Sequence, residues 1–112
     1  MSETQDGIWI IDDQGFTVYA NQRMAEILRT TIVDLIGQPS FNYVFPEDVP
    51  AAQRLFDAKV DGNTRPFRFN LRCKDGSTVP VAVQGTPMYN AAGKFNGIVG
   101  TFTVTNETEP PT

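Results

Sequence analysis

The 112-residue chain contains no histidine and a single cysteine, Cys73. Without an imidazole it lacks the usual general base near neutral pH, the commonest metal ligand and the proximal ligand of most haem proteins. One thiol cannot close an intramolecular disulfide, which fits a reducing compartment. No apolar run approaches the roughly 20 residues that span a bilayer. Residues 1–7 have neither the basic nor the apolar region of a signal peptide. These absences lead to the expectation of a cytoplasmic protein with no membrane insertion. Thirteen acidic and nine basic residues give a net charge of −4, and no basic cluster offsets it, so nucleic acid is not an expected partner. A Gly-rich phosphate loop is missing, as is a phosphate-binding lysine motif.

Catalytic groups are equally scarce. The acidic pairs Asp12-Asp13 and Glu47-Asp48 are adjacent in sequence, on a turn and at a helix start, where neighbouring side chains do not converge on one substrate. Cys73 falls on the apolar face of its strand and reads as a small core hydrophobe. Nothing supplies nucleophile, base and orienting group together, so no enzyme is expected. Asn106-Glu107-Thr108 matches a glycosylation acceptor but follows no secretory signal, and reads as chance.

What is present is ordinary globular patterning, with 40% hydrophobic and 20% charged residues, enough for one core. Residues 1–105 read as a single domain and 106–112 as a frayed linker stub. Residues 7–11 and 16–20 form two strands around the turn-forming run Asp12-Asp13-Gln14-Gly15. Asn21 caps a short helix over 22–29, with Met24, Ile27 and Leu28 on one face. Thr31 to Asp34 has capping-box spacing, and Gly37 ends a brief turn of helix. Residues 38–46 read as irregular, with room for one turn. Asp48 caps a longer helix with Leu55, Phe56 and Val60 inward and Gly62 as its stop.

Beyond Pro66 the period becomes two. Phe67, Phe69, Leu71 and Cys73 alternate with Arg68, Asn70, Arg72 and Lys74, and Asp75-Gly76 turns into a second strand with Val79, Val81 and Val83. Asn90-Ala91-Ala92-Gly93 then turns into a strand over 95–105. Pro80 lacks a ladder donor, so a bulge or strand end is expected there. The order strand-strand, helices, three strands is α+β, one antiparallel sheet with helices over one face.

That order, with Asp12-Asp13-Gln14-Gly15, Tyr19-Ala20-Asn21, Leu35-Ile36-Gly37, Pro46-Glu47-Asp48 and Lys74-Asp75-Gly76-Ser77, resembles the PAS family of sensory domains over about residues 6–105. The resemblance implies a five-stranded antiparallel sheet in the order 2-1-5-4-3 and helices that often enclose a small-molecule pocket. It also implies flanking signalling domains in a larger, bacterial signal-transduction protein such as a histidine kinase. The family's output linker commonly begins Asp-x-Thr. Val104, Thr105 and Asn106 stand at those positions, with Asn106-Glu107-Thr108 two residues on.

Alternation puts Trp9, Ile11, Phe69, Leu71, Val81, Val83, Gly100 and Phe102 on the helix-covered face. The family's flavin-binding branch uses amides on its last three strands, and the matching positions are similar to Leu71, Val81 and Phe102, which make no such bonds. Ser40 stands where that branch has its adduct-forming cysteine. The haem-binding branch uses a histidine on the long helix, and residues 48–61 have none, so both flavin and haem are disfavoured. Two readings stand for this face. It holds a small apolar ligand through Trp9, Phe69, Leu71, Val81, Val83 and Phe102, with Ser40, Asn42 and Tyr43 as polar anchors, or the aromatic residues fill the interior and the chain is a purely structural dimerisation module. On the outer face, Ile8, Ile10, Ala82, Val99, Thr101 and Thr103 form an apolar patch of the kind through which such domains form homodimers.

Overall fold

A computed structural model describes residues 6–105. Residues 1–5 and the tail 106–112, with its Asn106-Glu107-Thr108 sequence, lie outside the described residues. The elements are β1 (Gly7–Asp12), β2 (Thr17–Ala20), α1 (Gln22–Ile27), α2 (Ile32–Leu35), 3₁₀ turns at Ser40–Tyr43 and Pro46–Asp48, α3 (Val49–Val60), β3 (Phe67–Arg72), β4 (Thr78–Tyr89) and β5 (Phe95–Val104). The strands form one antiparallel sheet in the order β2-β1-β5-β4-β3, which is the order the resemblance implies. First and last strands therefore lie side by side, and the helical segments cross over one face. Among the described residues no helix is long and apolar enough to cross a membrane.

The helices are too short to persist alone and are held by specific bonds to the sheet. Asn21 caps α1 through Oδ1, which accepts from the Met24 N–H at 2.9 Å, and the same oxygen accepts from Ile8 N–H of β1 at 3.0 Å. One side chain thus sets the helix start and its seat on the strand. Met24, Ala25, Ile27 and Leu28 are buried below it. The helix ends at Ile27, not at 29, because Arg29 takes a left-handed conformation with φ 58° and turns the chain away. Thr31 caps α2 by accepting from Asp34 N–H at 3.1 Å, while the Asp34 carboxylate faces outward to Lys74 Nζ at 2.7 Å. The lysine's hydrogen bond and charge lower the pKa of Asp34, and Asp34 raises that of Lys74.

Other expectations need correcting. Asp48 makes no side-chain cap to α3, because the preceding 3₁₀ turn delivers it with helical backbone angles, φ −99° and ψ −2°. Val60 is 37% exposed and Lys59 is buried in its place. In β2, the register passes from Ile10↔Tyr19 to Ile11↔Thr17 and skips Val18. This bulge turns Val18 and Tyr19 outward and Thr17 inward. Phe16 lies outside the strand, in a bridge to Pro39. Pro80 causes no bulge. Its carbonyl accepts from Thr105 N–H at 3.0 Å while β5 ends at Val104, so the missing donor falls where the ladder stops. The bulge between β4 and β5 lies elsewhere, between Met88 and Tyr89.

The hairpin joining β3 to β4 is clamped onto the end of α1. Lys74 N–H donates to the Leu28 carbonyl at 2.9 Å, and Arg29 Nη1 reaches Asp75 Oδ2 at 3.0 Å. Asp75 Oδ1 also accepts from the Ser77 hydroxyl at 2.6 Å and the Ser77 N–H at 3.0 Å. The Ser77 bonds and then Arg29 hold the Asp75 carboxyl at about 2, below its ordinary 3.8. A carboxyl depressed in this way adds stability above its unfolded pKa and loses it as pH falls through the folded one. Asp75→Asn is therefore expected to lower the melting temperature at neutral pH, with the gap to the native protein closing between about pH 4 and pH 2. Thermal melts across that range check this, and a gap independent of pH contradicts it.

Candidate functional site

The inner face of the sheet is built in rows across the strands. Pairing sets Ala20, Trp9, Gly100 and Gly85 side by side, from β2 through β1 and β5 to β4. The adjoining row runs Gly7, Phe102, Val83, Phe67. Two glycines facing each other across the central strands leave the middle of the sheet without side chains of its own, and the Lys59 stem and Phe102 ring lie over them. Neither position requires glycine for its backbone angle, but both are short of room. A Cβ on Gly85 would stand 3.1 Å from Lys59 Cε, and one on Gly100 would stand 2.6 Å from Phe102 Cε1.

Over this patch α3 presents Ala52, Leu55, Phe56 and Lys59, a stripe at helical spacing, and the first 3₁₀ turn adds Ser40 and Phe41. Between them and the sheet lies a cavity of about 130 Å³. Trp9, Ile11, Phe67, Phe69, Leu71, Val83, Ile98 and Phe102 supply most of the remaining wall, so the lining is almost wholly apolar. Ser40 is positioned by its N–H, which donates to the Gly15 carbonyl at 2.9 Å, beside the paired Thr17 N–H and Gln38 carbonyl, also at 2.9 Å.

Trp9 is the fixed wall. Its Nε1–H donates to Thr17 Oγ1 at 2.9 Å, so the indole's polar edge is satisfied within the core. Tyr43 meets the ring edge-on at 5.9 Å between centroids, and Phe102 packs tilted at 5.5 Å. A further edge-on pair, Phe56 with Phe95 at 5.9 Å, seats α3 on β5.

Lys59 is the anomaly in this setting. It is 4% exposed, and its stem lies over Gly85. Nζ donates to the Arg65 carbonyl at 3.0 Å and stands 5.5 Å from the centre of the Phe67 ring, within cation–π range. Among the described residues it forms no ion pair; the bridges present are Arg23–Glu26, Arg29–Asp75 and Lys74–Asp34, none involving it. Burial pushes its pKa down from the ordinary value.

Of the residues singled out from the sequence, Trp9, Ser40, Phe69, Leu71, Val83 and Phe102 come together around the cavity. Tyr43 stands behind Trp9, Val81 is wholly buried outside the lining, and Asn42 is exposed, its backbone carbonyl accepting from Arg72 Nη2 at 3.0 Å. Phe41, Val44, Ala52, Lys59, Gly85 and Ile98 are members the sequence reading did not include. Helical spacing from Leu55 and Phe56 reaches Lys59, but its charge argued for the surface. On the opposite face, Ile8↔Thr101, Ile10↔Val99 and Ala82↔Thr103 are cross-strand partners, so the outer patch is contiguous and part-exposed.

No histidine, cysteine or side-chain amide lines the cavity, and no cluster of three potential metal ligands occurs among the described residues. The donor set does not fit a flavin ring edge or a haem iron.

The sequence matches the model of the PAS fold family over residues 1–104. Among solved structures it is similar to the PAS domain of a protein from Colwellia psychrerythraea, with 21% identity, coverage of 91% of this chain and 87% of that one, and a TM-score of 0.80. It is similar to PAS-B of Drosophila melanogaster Cycle with bound ethylene glycol, at 16% identity, covering 88% of this chain and 99% of that one, TM-score 0.76. A light-oxygen-voltage domain studied with a flavin analogue is similar at 20% identity, covering 92% of this chain and 79% of that one, TM-score 0.78. No curated protein matches. At these identities the likeness to solved structures carries the fold alone. With Ser40, Leu71 and Phe102 in the lining, blue light is expected to leave the absorption spectrum of the purified protein unchanged. A flavin band that bleaches and recovers contradicts this.

Proposed function

The chain belongs to the PAS family of sensory and signalling modules, and on that premise we propose that it is a non-catalytic regulatory sensor within a larger bacterial signal-transduction protein, such as a cytoplasmic histidine kinase. The observation that carries this reading is the apolar cavity whose wall includes Gly85 and Gly100. Side chains that fill a core leave few voids larger than a water molecule, and an engineered apolar cavity of about 150 Å³ stays dry and binds benzene. A hollow of about 130 Å³ therefore favours the ligand-binding reading over the filled-core one.

Such a ligand would act on the surrounding packing. Phe56, Phe102 and Trp9 line the cavity and also pack against neighbouring rings, so a molecule between them would bear on both α3 and the central strands. Those strands carry the outer patch of Ile8, Ile10, Ala82, Val99, Thr101 and Thr103 on their other side. We assign that patch to self-association or to a flanking segment of the parent protein.

Toluene at millimolar concentration is expected to raise the melting temperature of the native protein through preferential binding to the folded state, and Gly85→Val, whose side chain displaces the Lys59 stem that lines the hollow, is expected to abolish the shift. A native protein stabilised by neither toluene nor benzoate contradicts the cavity reading. For the outer face, Ile10→Asp and Val99→Asp are each expected to weaken self-association in sedimentation. The same monomer for native and both variants contradicts the dimer assignment.

A further inference from the structure

Lys59 and Val60 are placed against their chemistry. The charged residue is 4% exposed and faces the apolar cavity, while the apolar residue beside it on α3 is 37% exposed and faces water. Burying an ammonium is costly unless its charge is compensated and its donors are used. Here one of its three N–H groups reaches the Arg65 carbonyl. The Phe67 ring offers a weak electrostatic partner, and no carboxylate pairs with it among the described residues. Lys59 lines the cavity, with its stem over Gly85 and its amine bonded to the Arg65 carbonyl in the segment joining α3 to β3. The other lining side chains are apolar except Ser40.

We propose that the cavity takes a small apolar monocarboxylate, its carboxylate paired with Lys59 and its hydrocarbon part lying against the apolar wall that includes Phe56, Phe69 and Phe102. This rests on the cavity being a ligand site and adds the chemistry of what enters it. The size follows from the volume of about 130 Å³, close to that which accepts a single six-membered ring. The single charge follows from the lining, in which Lys59 is the one cation among the described residues; a second negative charge would enter low-dielectric surroundings uncompensated. A carboxylate meets both deficits at once, accepting the remaining N–H bonds and balancing the charge.

Isothermal titration of the full chain with benzoate and with toluene tests this, using native protein and Lys59→Met, a side chain of similar reach without charge. Native protein is expected to bind benzoate at least tenfold more tightly than toluene, and Lys59→Met to reverse that order. Lys59→Gln, which keeps a donor and removes the charge, stands in if the methionine variant does not fold, with the same loss of benzoate preference expected. Toluene bound by native protein as tightly as benzoate overturns the carboxylate inference and leaves the cavity reading intact. Benzoate affinity unchanged in the charge-free variants overturns it as well. Native protein that binds neither compound overturns both readings.

Discussion

The sheet face beneath α3 is arranged around a gap between two glycines. Gly85 and Gly100 face each other on the two longest strands, and between them the sheet has no side chain to offer the helices. Neighbouring rows close in from the sides: Trp9 stands beside Gly100, and Phe102 leans across the space a Cβ would need. From above, α3 can lay a long side chain directly on the sheet, and Lys59 occupies that position. A larger residue at either glycine would displace Phe102 or the lysine stem, so cavity and buried cation have one structural origin.

The frame around the gap is stiff at one end and thinly covered at the other. At the β1 end, Asn21 binds helix and strand with the same oxygen, and the Trp9–Thr17 bond locks the indole. At the hairpin end, Arg29–Asp75 and Lys74–Asp34 join α1 and α2 to the β3–β4 turn. Solvent screens such exposed pairs, so they act with the Lys74–Leu28 backbone bond to set position more than to supply stability. Over the cavity itself the cover is α3 and one 3₁₀ turn. Cover that rests on a hollow has fewer buried apolar contacts beneath it, which is the condition for the low-stability end of a fold. A sensor needs compliance at that place.

Much of the fold was legible because the rules that shape it are local. Period-two alternation from Phe67 to Cys73 and Val79 to Val83 gave the correct inner face, and Asn21 and Thr31 declared the two short helices. The departures have equally local causes. The bulge at Val18 follows from the inward demand of Thr17, whose hydroxyl is wanted by a tryptophan eight residues earlier, and no pattern of hydropathy reports that bond. Asp48 looked like a cap but continues a 3₁₀ turn. At the site, hydropathy found the apolar wall from Trp9 to Phe102 yet assigned Val60 inward and passed over Lys59. Charge is ordinarily a sound guide to exposure, and it fails here because the Lys59 stem packs over Gly85 while its amine reaches the Arg65 carbonyl.

The central claim is physical and can be seen directly: Gly85, Gly100, Phe102 and the Lys59 stem are part of the wall of a hollow whose lining is almost wholly apolar. A crystal of the native chain pressurised with xenon measures this, since xenon enters dry apolar cavities of this size. The account predicts one ordered xenon site in the hollow whose wall includes Gly85, Gly100, Phe102 and the stem of Lys59. A closed interior with no xenon there, and Phe56 or Phe102 occupying the space, would contradict it.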